Sequence, residues 1–216
     1  MYPPEVLARR HSLPVKPDPV TLTGKLSILE PLDLDRDVEA LHAVSNGAPF
    51  AGQPSYDANE RIWKYMSGGP FAEASGLRAW LAAQEAAPDG RPFVVRAQGR
   101  AVGVVNLIAN VPAHLKIELG SIWYGPIAQR TGVSREVTEL LLAHVFALGY
   151  RRVEWKCDAR NEASRRAALS YGFTFEGIQD AHYIIKGRNR DTAWYRWLDH
   201  EWAVRRIARQ PGAQRS

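Results

Sequence analysis

The sequence predicts an α/β domain built on one mixed sheet, antiparallel at one end and crossed over by helices at the other. Three observations carry that prediction. RPFVVRAQGRAVGVVNLIANV reads as two β-rich runs joined at AQGR, a hairpin turning on Gly99. KIELGSIWYG, a long apolar helix and YRRVEWKCD follow in strand–helix–strand order. A second helix, NEASRRAALSYG, then leads into further strands. Hairpins make antiparallel neighbours and crossover helices make parallel ones, so both pairings belong in one sheet.

The elements can be justified in order. MYPPEVLARRHSLPVKPDP is proline-rich, has no apolar stretch that could serve as a secretory signal, and reads as an arm (residues 1–19) lying over or beside the domain. LTGKLSILEPL is a short strand ended by Pro31. DLDRDVEALHAVS is a helix with Leu34, Val38 and Leu41 on one side and Asp33 or Asp35 able to cap it. GAPFAGQPSYDANERIWKYMSGGP is rich in turns around a short aromatic helix. SGLRAWLAAQEAAPDG is a helix opened by Ser75 and closed by Pro88-Asp89-Gly90. Strand KIELGSIWYG breaks at Gly125-Pro126, and its helix runs from Ser134 to about Leu148, with Gly149 at the C-cap. In the next strand Val153, Trp155 and Cys157 share a face. FTFEGIQ and AHYIIKG read as two strands, and DTAWYRWLDHEW as a strand through Leu198 followed by a helix capped by Asp199. The domain spans residues 20–203, and residues 204–216 form a basic tail.

Bulk properties exclude several classes of function. No run of apolar residues is long enough to span a membrane. One cysteine, Cys157, rules out an internal disulfide and fits a reducing cytoplasm. The six histidines show no metal-ligand spacing, so no metal is expected. Net charge is +5, much of it in AVRRIARQPGAQRS, yet no nucleic-acid recognition motif accompanies it. Seven tryptophans suit large apolar walls or a contact with a second copy as readily as a ligand site.

The corner QRTGVS, between a buried strand and a buried helix, is the first candidate site. A helix start leaves about four backbone N–H groups unpaired, and its dipole favours an anion. Gly132 can take a positive φ and leaves room for a phosphate oxygen, Ser134 can cap or donate, and Gln129 and Arg130 can close the rim. The alternative is a plain strand–turn–helix with a serine cap. Neither G-x-x-x-x-G-K-S/T nor G-x-G-x-x-G occurs, so ATP and dinucleotide sites lack their signatures.

This corner resembles the acyl-coenzyme A motif Q/R-x-x-G-x-G/A of the Gcn5-related N-acetyltransferase (GNAT) superfamily. It reads Gln129-Arg130-Thr131-Gly132-Val133-Ser134. Asn161, Ser164, Gly172 and Phe173 match a second signature of that superfamily. IELGSIWYGP, YRRVEWKCDARNEASRRAA, FEG and KGRNRDTAWY are similar to the ribosomal-protein alanine N-acetyltransferase (RimJ/RimL-like) branch. The resemblance covers roughly residues 20–202. It implies a GNAT fold, with a splayed central mixed sheet flanked by helices, and acetyl transfer from acetyl-CoA directly to a primary amine.

The resemblance also implies roles. Coenzyme A would enter a gap between strands 116–124 and 153–157, pair with the backbone of Ile122, Trp123 and Tyr124, and meet the N–H groups of residues 129–134. Asn161 would bridge the pantetheine arm, with Ser164 and Arg165 toward the phosphates; as plain structure, Asn161 would be an N-cap and Arg165 solvated charge. Glu118, in an apolar strand, has the pKa-raising surroundings of a general base; an ion pair with a neighbouring arginine is the alternative. Many members carry an acidic tyrosine where this chain has Ala168, which leaves Tyr171 as a substitute or as packing beside Phe173. The acceptor would be a protein N-terminal or small-molecule amine, met by aromatics such as Phe50, Tyr56, Trp63, Tyr65, Trp194 and Tyr195. Succinyl-CoA as donor, a coenzyme A sensor without turnover, and a homodimer stay open.

Overall fold

The structure is a computed structural model that describes residues 2–209. Eight strands form one sheet in the order β1-β2-β3-β4-β5-β6-β8-β7. They are β1 (Leu22–Thr23), β2 (Ile28–Pro31), β3 (Arg91–Ala97), β4 (Arg100–Val111), β5 (Lys116–Tyr124), β6 (Arg152–Asp158), β7 (Thr174–Ile185) and β8 (Arg188–Leu198). Every neighbouring pair is antiparallel except β5 and β6, the pair joined by a crossover helix.

The first predicted strand is a small hairpin, β1–β2, and the two strands expected after Gly172 are one long strand, β7, whose register shifts twice. Gln98 and Gly99 both have positive φ, the geometry of a tight two-residue hairpin turn, as the AQGR reading requires.

The helices are α1 (Pro4–Ala8), α2 (Leu34–Ala43), α3 (Ala74–Glu85), α4 (Val133–Leu148), α5 (Glu162–Tyr171) and α6 (Asp199–Arg209). Asp33 caps α2, accepting from the N–H groups of Asp35 and Arg36. The N-cap of α3 is Glu73 rather than Ser75, since the helix begins one residue before that serine. Gly149 and Gly172 end α4 and α5 at φ of 101° and 105°, a left-handed conformation open to glycine at little cost. Asp199 lies inside α6 as its first residue. The helix continues through residue 204, where the tail was expected to begin, and Arg205 donates to the carbonyl of Tyr171 at 2.7 Å. Residues 210–216 of that tail lie outside the described residues.

Two apolar layers lie on opposite faces of the sheet. On one face α4 and α5 pack against Val153, Trp155, Cys157, Ala193, Tyr195 and Trp197. On the other, α2 and α3 cover Val94, Ala101, Val104 and Trp123. Helices α2 and α3 therefore sit on the β3–β5 half, and the second face of β6 and β8 carries polar residues. The N-terminal arm is fastened to the domain. Asn110 donates to the carbonyls of Pro14 and Val15 at 2.8 Å each, and Tyr2 donates to Asp199 at 2.9 Å. Among the described residues no helix is long and apolar enough to cross a membrane.

Candidate active site

The corner at the head of α4 opens on a groove formed by β5 and β6. The two strands pair only from Lys116 to Glu118 on one side and Arg152 to Glu154 on the other. Beyond that point they part. On its other side β5 shifts register against β4, with Ser121 at a positive φ of 48°. Such a bulge adds a residue to one strand and bends it, so the upper half of β5 turns away from β6. Backbone N–H and C=O groups that face a departed neighbour have no ladder partner. The resulting groove holds about 400 Å³ and is lined by Glu118 to Tyr124 from β5 and by Trp155 to Asp158 from β6.

Of the residues expected to hold coenzyme A, Ile122, Trp123, Tyr124, Gln129, Ser134, Asn161 and Ser164 line this groove. Gln129 donates to the carbonyl of Tyr124 at 2.9 Å, tying the turn to the end of the strand. Gly132 is the N-cap of α4 at φ 92° and has no side chain to cap it, while the N–H of Val133 makes a long bond of 3.5 Å to Thr131 Oγ1. The N–H groups of its first turn, from Val133 onward, lie within a turn of the groove, and Thr131 bonds back to the carbonyl of Ala128 at 2.7 Å. A Cβ at Gly132 would meet Leu26 Cδ1 at 3.2 Å, and the positive φ by itself favours glycine there. Arg130, at φ 63°, Thr131, Gly132 and Val133 are not among the residues that line the groove. Asn161 caps α5, accepting from the N–H of Ser164 at 3.1 Å, as the structural alternative required, and it still faces the groove.

Two expected residues point elsewhere. Arg165 donates to the hydroxyl of Tyr195 at 3.2 Å and to the carbonyl of Ala159 at 3.1 Å, on the side of α5 away from the groove. The Tyr171 hydroxyl is bonded to that of Ser134 at 2.8 Å, and its ring is buried under Arg135. Tyr171 does not itself line the groove, but its hydroxyl is bonded to Ser134, which does.

Glu118 sits where the strands begin to part and is 4% exposed. Its partner is a lysine, not the arginine that sequence suggested: Lys156 Nζ lies 2.6 Å from Oε2 as an ion pair without an aligned hydrogen bond. Burial pushes the Glu118 pKa up, and the attraction of Lys156 only partly offsets it. Lys156 also lies over the ring of Trp194, 4.3 Å from its centroid. Burial pushes the Cys157 thiol up as well, and its buried side chain is in the α4–α5 core, a poor setting for a nucleophile.

Sequence reading missed the polar face. Arg152, Glu154, Lys156 and Asp158 alternate with the buried Val153, Trp155 and Cys157, and pair in register with Leu198, Arg196, Trp194 and Thr192 of β8. The charged alternation along β6 was the available signal. Its neighbours on β8 were not legible, because pairing between strands so far apart in the chain has no local trace. Of the aromatics expected to wall an acceptor pocket, Trp63 and Tyr195 are fully buried core residues, and Phe50 and Tyr56 pack on the α2–α3 core; Tyr65 does face the groove. Among the described residues no group of three or more metal-binding side chains exists.

Comparison with known proteins is consistent with this geometry. Residues 28–174 match the family described as acetyltransferase (GNAT) domain. A GCN5-related N-acetyltransferase from Brucella melitensis is 36% identical, over 88% of this chain and 84% of its own, with a TM-score of 0.80. A protein from Chromobacterium violaceum, described as a probable acetyltransferase of the GNAT family, is also 36% identical, over 87% of this chain and 90% of its own, with a TM-score of 0.78. An acetyltransferase from Salmonella typhimurium that modifies the N-terminal serine of ribosomal protein L7/L12 is 19% identical, over 83% of this chain and 99% of its own, with a TM-score of 0.69; at that identity the likeness is one of fold. Among curated proteins none matches the chain.

Proposed function

Because the chain belongs to the GNAT acetyltransferase family, we propose that it transfers an acetyl group from acetyl-CoA directly to a primary amine approaching over the polar face of β6 and β8. The observation that carries this reading is the parting of β5 from β6 just past Glu118, which leaves a bare strand edge, a helix head with a glycine N-cap and a buried carboxylate on one groove. The donor set suits acetyl-CoA: amide-bearing pantetheine can pair with the strand edge at Ile122–Tyr124, and the pyrophosphate with the N–H groups of residues 132–134. Bound acetyl-CoA supplies an activated thioester.

The chain's own groups do the remaining work. Glu118, held above its usual pKa, accepts a proton from the amine, directly or through a water, so that the nitrogen lone pair is free. Unpaired N–H groups along Ile122–Tyr124 stabilise negative charge gathering on the carbonyl oxygen. The C–N bond forms as the C–S bond breaks, and the sulfur leaves with the electron pair. A thiol has a pKa of about 8.5, so it departs as thiolate without a side-chain acid, and the second proton shed by the nitrogen as the amide forms passes through water to that thiolate. We assign no proton-donating role to Tyr171; with Ser134 it shapes the helix head.

The resemblance to RimJ/RimL-like enzymes makes a protein N-terminal amine one acceptor to try, beside small amines. The test is incubation with acetyl-CoA or succinyl-CoA and an amine panel, following free thiol and product mass. Thiol release matched by an N-acetyl product supports the reading. Tight acetyl-CoA binding with every amine left unmodified favours the sensor reading instead.

A further inference from the structure

Resting on that acetyltransferase reading, we infer that the acceptor amine carries an anionic group, a phosphate or a carboxylate, which seats on Arg190 between the β7–β8 turn and the 59–65 segment. A cavity of about 340 Å³ lies there, lined among others by Lys64, Tyr65, Arg160, Lys186, Arg188 and Arg190. Tyr65, Asp158 and Arg190 also line the main groove, so the two spaces are neighbours. Its walls are held together: Lys186 donates to the carbonyl of Trp63 at 2.8 Å, and Tyr65 to that of Arg160 at 3.2 Å. The volume is that of a small-molecule site.

Charge accounting gives the site its sign. Across both spaces the carboxylates are already matched: Glu118 with Lys156, Asp158 with Arg160, and Glu60, just outside the lining, with Lys64. Arg61, Lys186, Arg188 and Arg190 remain, and none has a carboxylate within ion-pair distance among the described residues. Solvated surface charge would explain Arg188, which is exposed on the turn. It does not explain Arg190, whose guanidinium lies 5.5 Å from the centroid of the Tyr183 ring but whose Nε is shielded from solvent and has no hydrogen-bond acceptor. Thr192 Oγ1 and Trp194 Nε1 on the same strand are also buried and unbonded, but neither residue lines the cavity or the groove. Buried donors without acceptors are costly and uncommon. A guanidinium N–H can only donate, so the missing partner of Arg190 Nε is an acceptor, and next to surplus cations that acceptor is best an anion.

The arrangement also serves the chemistry. Cations around the groove disfavour an ammonium and favour the neutral amine that attacks the thioester. An anionic group on the acceptor offsets the repulsion that would otherwise keep an amine out. Coenzyme A's own phosphates are not the occupant: the residues at the head of α4 do not line this cavity.

The experiment uses the full chain with coenzyme A present. O-phosphoethanolamine and β-alanine are titrated calorimetrically against their uncharged counterparts, ethanolamine and β-alaninamide, and each is then assayed with acetyl-CoA. At least one anionic amine is expected to bind about tenfold or more tightly than its counterpart, and which one distinguishes phosphate from carboxylate. Arg190→Gln should abolish that preference and Arg190→Lys should keep part of it. Equal or absent binding of all four, or a preference that survives Arg190→Gln, overturns the inference. A binding preference that depends on Arg190, without acetylation of any of the four amines, keeps the anion seat but overturns its assignment to the acceptor, and leaves the acetyltransferase reading to the broader amine panel.

Discussion

Replacing Glu118 by glutamine keeps its shape and removes its charge, and the geometry predicts that activity and stability will respond in different ways. The pair with Lys156 is 2.6 Å long, with side-chain exposures of 14% for the lysine and 5% for the glutamate. At an effective dielectric constant of ~20 the attraction is roughly 6 kcal/mol. Taking both ions out of water costs several kcal/mol each, so the pair comes out close to break-even. The upward pKa of Glu118 says that burial wins.

The sign follows from linkage. A carboxyl with a raised folded pKa contributes stability that is full below its ordinary value of 4.5 and is lost as pH rises through the folded value. At neutral pH the ionised carboxylate is therefore a burden, and an uncharged amide should cost less than about 1 kcal/mol or even stabilise, with Lys156 still resting on the Trp194 ring. Turnover should fall by about a hundredfold or more, since a general base contributes that much. Urea melts at several pH values would read the first effect, and kcat against pH the second, with the wild type losing rate on the acid side as Glu118 protonates. Lys156→Met should move that acid limb to higher pH, because the lysine is what holds the pKa down. A loss of 3–5 kcal/mol in Glu118→Gln, which is typical of breaking a structural buried pair, with kcat intact would refute the reasoning.

Three other outcomes can be checked. Gly132→Ala should lose about 1–2 kcal/mol in thermal or urea unfolding, since its φ is 92° and the new methyl meets Leu26, and acetyl-CoA affinity should weaken with the distorted helix head. Tyr171→Phe removes only the bond to Ser134, so kcat should change by less than about threefold; a hundredfold loss would restore it as an acid. Asp37 is fully buried, and although burial pulls its pKa up, the bonds from Arg36 and the attraction of Arg96 hold it below 3.8. Its contribution is thus present above the ordinary carboxylate range and lost as pH falls through the lowered value, so Asp37→Asn should cost about 3 kcal/mol at neutral pH and progressively less at acid pH.

What the sequence determined by itself was the order of elements and the corner at Gly132. Local rules act there: alternation marks β6, a tight turn needs Gly99, and the two helices stop at Gly149 and Gly172 because only glycine takes those φ values cheaply. The acyl-CoA corner was legible for the same reason, being six consecutive residues, 129–134. The tertiary structure decided everything that depends on register or on which way a side chain leaves a helix. Lys156 meets Glu118 because β5 and β6 part just there, a fact set by the Ser121 bulge against β4. Arg165 turns from the groove because α5 presents it to Tyr195, and the same helix brings Tyr171 to Ser134 at the groove's edge. Thr192 and Trp194 come beside Asp158 and Lys156 only when β8 lies beside β6. Such pairings join residues dozens of positions apart, and their energy lies in burial and contact that no short stretch of chain contains.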